Sequence, residues 1–196
     1  MIKPWPKIQS QSVGDFRIFK VRSDLKQSPR TGQTHDFFVI DCANWVNVIA
    51  LTPDDQLVMV QQYRHGSDTV ELEIPGGMMD APDESPVMAG LRELREETGY
   101  EGEQPVVIGE IFPNPAIMSN ICYTVLVRNC ECRHNTLFDH CEDLATQLVP
   151  ADQISGLVAS GRIRHSLVVV ALYHFELWRT AKGSVLTIDS QRTRQM

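Results

Sequence analysis

The chain carries no excess of positive charge, few aromatic residues and no long apolar run. Eighteen Lys and Arg against 25 Asp and Glu give a formal charge of −7. A surface of that sign offers no basic footprint to a nucleic-acid duplex or an anionic membrane, so an anionic ligand has to be met by local cations or by a metal ion. The start, Met1 to Lys7, sets Trp5 between two prolines and shows no apolar stretch of signal-peptide or membrane-spanning length, which leads to the expectation of a soluble cytoplasmic protein. Five cysteines, Cys42, Cys122, Cys130, Cys132 and Cys141, are an odd number without framework spacing and read as reduced thiols. Cys130, Cys132, His134, His140 and Cys141 could be drawn as zinc ligands, but their spacing fits no common finger, and Cys122 to Cys132 reads as a strand entering a turn. There is no internal repeat.

With 196 residues, 42% of them hydrophobic, the chain suits one globular domain with a small appended part. Strand patterns run over Gly14 to Leu25, His35 to Ile40, Val46 to Leu51, Leu57 to Tyr63, Val70 to Ile74, Val106 to Phe112, Ile121 to Val127 and Leu144 to Val149. Turn signals occupy Ser28 to Thr34 and Thr52 to Gln56. A short helix is expected over Asp152 to Ser160, ended by Gly161, and a longer apolar one over Ser166 to Thr180. Strands with few helices point to an α+β fold, a mixed sheet covered by helices.

The densest chemical signal is the run Glu84 to Tyr100, E-S-P-V-M-A-G-L-R-E-L-R-E-E-T-G-Y. Ser85 can cap a helix, Pro86 fits its first position and Gly99 its left-handed end, with Leu91 and Leu94 toward the core. Residues three and four apart share a helix face, so Glu93, Glu96 and Glu97 can converge on one point. Three carboxylates aimed together repel unless a cation joins them, and Mg²⁺, a hard ion shared with substrate phosphates, suits such a set, with Mn²⁺ able to substitute. Upstream, Pro75, Gly76 and Gly77 read as a loop whose backbone approaches a ligand closely. A solvated acidic helix, with Arg92 and Glu96 as a surface ion pair, is the bland alternative for the run taken alone.

Pro-Gly-Gly before the helix, Arg-Glu-Leu-Arg-Glu-Glu within it and Thr-Gly-Tyr closing it resemble the Nudix box of nucleoside-diphosphate-linked-moiety hydrolases. One departure stands out. The family pattern has five residues between its glycine and its first glutamate, whereas six lie between Gly77 and Glu84, so the loop Asp80 to Asp83 is expected to bulge, with Asp83 a rival to Glu84. The segments Gln61-Gln62-Tyr63-Arg64 and Glu71-Leu72-Glu73-Ile74-Pro75-Gly76-Gly77 are similar to those of the ADP-ribose and nucleoside diphosphate sugar pyrophosphatase branch.

The resemblance implies an α/β/α sandwich with a mixed sheet over 43–182, a small antiparallel N-terminal β segment over 1–42 that builds a homodimer, and a weakly ordered tail over 183–196. It implies Mg²⁺ held by Glu93, Glu97, Glu96 and the Gly76 carbonyl, with Arg92 orienting the glutamates. Arg64 is implied as a phosphate or nucleotide contact, accompanied by Glu73, and Pro115 matches a marker proline beyond the box. His140-Cys141-Glu142-Asp143-Leu144 looks like the acidic segment that carries a catalytic glutamate; Glu142 matches best and Asp143 is its rival, so the general base is Glu142 or the box carboxylate Glu96. Trp45 and Phe112 are aromatic candidates for stacking a base.

The implied reaction is hydrolysis of a pyrophosphate in a nucleoside diphosphate sugar, with no nucleic acid or membrane as partner. Two alternatives accompany it: a nucleotide-sugar sensor without turnover, and a Nudix hydrolase of dinucleoside polyphosphates or capped RNA. The acidic composition disfavours RNA.

Overall fold

The computed structural model describes residues 1–138, 140 and 142–181, in two compact units. The tail expected over 183–196 lies outside the described residues. Met1–Asn44 and Phe112–Ile121 form one unit; Trp45–Ile111 and the chain from Cys122 onward form the other.

The first unit is an antiparallel sheet of β1 (Lys7–Asp15), β2 (Lys20–Gln27) and β3 (Thr34–Asp41), in that order. The single strand expected over Gly14 to Leu25 in fact contains the β1–β2 turn. Asp15 pairs with Lys20, Arg17 adopts φ 70°, and Phe16 and Phe19 stack at 5.1 Å between ring centroids. Phe16 to Phe19 hold no glycine or proline, and the apolar alternation slips phase only once there, between Ile18 and Phe19, which is why periodicity alone runs past the turn. Asp24 is buried beneath this sheet, held by the Ser10 hydroxyl at 2.6 Å and Arg22 Nε at 3.1 Å. The Phe112–Ile121 segment meets the end of β3: Ile40 N–H donates to Ile117 O at 2.7 Å, and Ser119 Oγ to Asp41 Oδ1 at 2.6 Å.

The second unit has two sheets. β7 (Gly76–Met78), β4 (Trp45–Ala50), β9 (Cys122–Cys132) and β8 (Tyr100–Ile111) form a mixed sheet in that order, with β4 and β9 parallel and the other pairs antiparallel. β10 (Leu144–Pro150), β5 (Gln56–Arg64) and β6 (Thr69–Glu73) form an antiparallel one. The turn at Thr52–Gln56 therefore links strands of different sheets, joined at their ends by the Leu51–Leu57 bridge and by Thr52 N–H donating to Gln56 O at 2.9 Å.

Helices cover both faces of the mixed sheet. Val46, Val48 and Ala50 of β4 and Val125 and Val127 of β9 pack with Ala89 and Leu94 of α1 (Pro86–Thr98). The alternate residues Ile49 and Leu126 pack with Val168, Ala171, Leu172 and Phe175 of α3 (Ser166–Thr180) and Ile154 of α2 (Ile154–Ala159). A strand buried on both faces reads as an unbroken apolar run, as Val46 to Leu51 does. The α3 bounds match expectation, and the short helix after β10 is a 3₁₀ turn (Ala151–Gln153) leading into α2.

Candidate active site

The ends of α1 are set locally. Ser85 Oγ accepts from Met88 N–H at 3.2 Å, Pro86 opens the helix, and Gly99 closes it at φ 72°. That framing decides which face goes inside: Ala89, Gly90, Glu93, Leu94 and Glu97 are all buried. Two carboxylates thus share a stripe with the residues that seat the helix on the sheet.

The glycine pair does not form the expected loop. Gly76–Met78 is the short strand β7, with Gly76 opposite Asn47 and Gly77 opposite Val46. Its backbone does run close to other groups of the chain, Val46 and Glu93. A Cβ on Gly76 would fall 2.3 Å from Val46 O, and one on Gly77 only 2.5 Å from Glu93 Oε1. Glycine is required because the strand runs between a neighbouring backbone and a buried carboxylate.

Arg92 is the hub of the box. Its Nη1 donates to Glu93 Oε1 at 2.9 Å and to Glu96 Oε2 at 3.0 Å. Its Nη2 donates to Met78 O at 3.0 Å and Asp83 Oδ2 at 2.9 Å, and its Nε to Asp83 Oδ1 at 3.3 Å. The bulged loop therefore presents Asp83, not Glu84, to the arginine. Five residues separate Gly77 from Asp83, so counting from the glycine would have selected Asp83, whereas counting back from Arg92 selects Glu84. Asp83 is itself fixed by Asp80 N–H at 2.7 Å, and the Arg92 guanidinium holds its carboxyl below the usual carboxylate range.

Glu97 receives the Gly76 N–H on Oε2 at 3.0 Å. It is thus the N–H of Gly76, rather than its carbonyl, that meets the box carboxylates. Burial pushes Glu97 up to about 8, and the neighbouring charges of Glu93 and Glu142 add to the rise. Burial likewise pushes Glu93 up to about 7 against the pull of Arg92, with Glu96 and Glu142 again adding repulsion. Glu142, half-buried, is therefore electrostatically coupled to both buried glutamates. Asp143 is exposed beside it and Leu144 opens β10. No three His, Cys, Asp or Glu side chains among the described residues close into a metal cage, since Glu96 turns to Arg92 instead of converging with Glu93 and Glu97. The donor set nonetheless fits a hard divalent cation: hard oxygen donors, mutually repelling and buried without an arginine for each, are what such an ion relieves.

Arg64 and Glu73 meet each other. Arg64 Nε and Nη2 fork onto Glu73 Oε1 and Oε2, each at 2.8 Å, and Glu73 is buried. His165 Nδ1 lies 3.5 Å from Glu73 Oε2. Trp45, Asn47, Arg64, Gly76, Gly77 and His165 line a cavity of about 240 Å³. A second, of about 690 Å³, shares Arg64 and His165 with it. Pro115 and Phe112 lie exposed in the Phe112–Ile121 segment of the other unit. Sequence reasoning missed Arg164, His165 and the structural role of Glu71; an arginine and a histidine just before a helix carry no spacing signal toward a strand some ninety residues earlier.

The family model described as the NUDIX domain matches residues 44–169, well over half of the chain. The chain belongs to the Nudix family. It is thereby a Nudix hydrolase. A methanol dehydrogenase activator of Bacillus methanolicus is 28% identical over 89% of this chain and 94% of that protein. An ADP-ribose pyrophosphatase of Bacillus subtilis is 26% identical over 67% of this chain and 71% of its own. The crystal structure of an ADP compounds hydrolase superposes with a TM-score of 0.81 at 21% identity, covering 94% of this chain and 99% of that one, which shows the shared Nudix fold. Among the described residues no helix is long and apolar enough to cross a membrane.

Proposed function

We propose that this Nudix chain hydrolyses the pyrophosphate bond of a nucleoside diphosphate sugar, with ADP-ribose as the first candidate, to a nucleoside monophosphate and a sugar phosphate. The observation that carries this reading is the pair of buried glutamates, Glu93 and Glu97, clamped between Arg92 and the Gly76–Gly77 strand and coupled to Glu142. The name of the Bacillus subtilis relative supplies the substrate class.

Glu93 and Glu97, with the Gly76 carbonyl, are the residues that would hold Mg²⁺ or Mn²⁺, Glu96 being turned to Arg92. When bound, such an ion neutralises charge on phosphate oxygens and makes a water easier to deprotonate. The chain's own groups do the rest. Arg92 orients Glu93 and Glu96, while the Gly76 N–H fixes Glu97. Glu142 accepts the proton from the attacking water, because Glu96 is committed to Arg92. Glu73 presents Arg64 to a substrate phosphate: its fork occupies Nε and Nη2 and leaves Nη1 without a partner among the described residues. The N-terminal unit, whose Ile8, Phe37 and Phe38 are exposed, builds a homodimer in the cytoplasm.

The test is phosphate-coupled hydrolysis of ADP-ribose and a panel of nucleotide sugars with Mg²⁺, comparing the native chain with Glu97→Gln. A substrate turned over by the first and lost in the second supports the reading; tight binding without turnover in both moves it to a sensor. Sedimentation of the native chain checks the dimer, and a monomer at micromolar concentration would remove it. The Bacillus methanolicus relative, matched along nearly its whole length, favours a second reading in which the chain also acts on a dehydrogenase. Adding the chain to methanol dehydrogenase and following alcohol oxidation tests it.

A further inference from the structure

Two arginines of the second unit are held in the same way, and only Arg64 has a role so far. Arg164 sends Nε to Glu71 Oε1 and Oε2 at 3.0 and 3.2 Å, and Nη2 to Oε1 at 2.8 Å. Glu71 and Glu73 stand two residues apart on β6, so the strand turns both carboxylates to one face, and each is buried while each arginine remains substantially exposed. Thr69 Oγ1 donates to Glu71 Oε1 at 2.5 Å and locks that carboxylate further. In each pair two guanidinium nitrogens are spent on the glutamate, and Nη1 has no partner among the described residues.

Both arginines line the cavity of about 690 Å³, together with Gln62, Ser67, His165 and Ser166. Each guanidinium in the lining is already answered by a carboxylate, Arg164 by Glu71 within the lining and Arg64 by Glu73 outside it, so the cavity is not built to draw in a bare phosphate. What it offers is a dense set of fixed donors and acceptors: unspent N–H groups, an amide, hydroxyls and an imidazole. That is the complement of a polyol, whose hydroxyls each donate and accept. Through Arg64 and His165 the cavity is continuous in lining with the smaller one, whose Gly76 and Gly77 abut Glu97 and Glu93.

We propose that this larger cavity seats the sugar on the far side of the pyrophosphate, and that Arg164, held rigid by Glu71, is a specificity-determining contact to its hydroxyls. The nucleoside half of the substrate is then bound elsewhere. This rests on the pyrophosphatase reading above.

The products separate the two halves. With ADP-ribose hydrolysis as the assay, or the best nucleotide sugar of the panel and its own two products, ribose 5-phosphate and AMP are titrated as inhibitors of the native chain and of Arg164→Ala. The inhibition constant of ribose 5-phosphate is expected to rise about tenfold or more in the variant, as loss of a charged hydrogen bond implies, while that of AMP stays within about twofold. Glu71→Gln, which loosens the fork but keeps the arginine, should shift the same constant in the same direction by less, and circular dichroism checks that both variants fold. A rise for AMP instead, equal rises for both, no change for either, or a sugar phosphate that does not inhibit the native chain would each overturn the proposal. A chain that hydrolyses no nucleoside diphosphate compound overturns the pyrophosphatase reading itself, which is a separate result.

Discussion

Buried glutamates on β6 and on α1 lie in the same unit and titrate in opposite directions. Arg164 and Thr69 draw Glu71 down to about 2, whereas burial pushes Glu93 up to about 7 and Glu97 up to about 8. Glu71 has its own arginine, as does Glu73. On α1 a single arginine, Arg92, serves Glu93, Glu96 and Asp83, and among the described residues the hydrogen bond to Glu97 comes from the Gly76 backbone N–H, with Arg64 acting on it through its charge. The arginines of the larger cavity are each answered by a carboxylate; the box is short of positive charge, which a bound cation would supply. An acidic residue used to position an arginine is paired, and one used to hold a metal is left underpaired.

That contrast can be broken most sharply at the box. Replacing Glu93 and Glu97 together by Gln is expected to weaken Mg²⁺ or Mn²⁺ binding and lower kcat, each on the order of a thousandfold, read by calorimetric titration and by the coupled assay. Retained metal affinity would place the cation elsewhere. Asp83→Ala should reduce kcat by about 10- to 100-fold with the fold intact, while Glu84→Gln leaves it within about twofold, because of these two acids it is Asp83 that is hydrogen-bonded to Arg92. Equal losses in both variants would return the role to Glu84.

Gly77→Ala sets a methyl against Glu93 Oε1 and should cost about 1–3 kcal/mol of stability in a denaturant titration. A neutral result would mean that β7 shifts freely. The smallest effect is a pH dependence. Because Glu93 and Glu97 have native pKa values above the ordinary 4.5, the folded chain keeps protons that the unfolded chain has released between about 4.5 and about 8, so metal-free stability falls as pH rises through that window. The melting temperature of the metal-free chain should drop by roughly several degrees from pH 5 to 8, less so in Glu97→Gln, and Mg²⁺ should restore it at pH 8. Glu71 acts with the other sign: its contribution is present above 4.5 and is lost as pH falls toward about 2. A melting temperature that climbs from pH 5 to 8 would contradict the underpaired state of the box.

The box helix was legible because its determinants are local. A capping serine, a proline at the first position, a terminal glycine and a four-residue acidic spacing all act within one helix, and α1 falls where those signals put it. The strand turn near Arg17 was not legible, since no glycine or proline stands among Phe16 to Phe19. The glycine pair was read as a loop that comes close to a ligand; it is a strand, and what it comes close to is Val46 and the Glu93 carboxylate. Gly76–Met78 is a strand only because β4 lies alongside it, a pairing with residues some thirty positions earlier. Arg64 was singled out by motif, but nothing in the motif says that it reaches a buried partner on its hairpin neighbour.

Sequence alone therefore determined the chemistry on offer: an acidic chain, a metal-suited helix, and a glycine pair shortly before it. Those follow from residue types and short spacings, which act before any long-range contact forms. Only the tertiary structure decided which acid answers Arg92, how the buried glutamates divide between paired and underpaired, and that Arg164 comes to stand beside Arg64. Those outcomes depend on which side chains share a buried space, and burial sets the cost of leaving a charge unpaired.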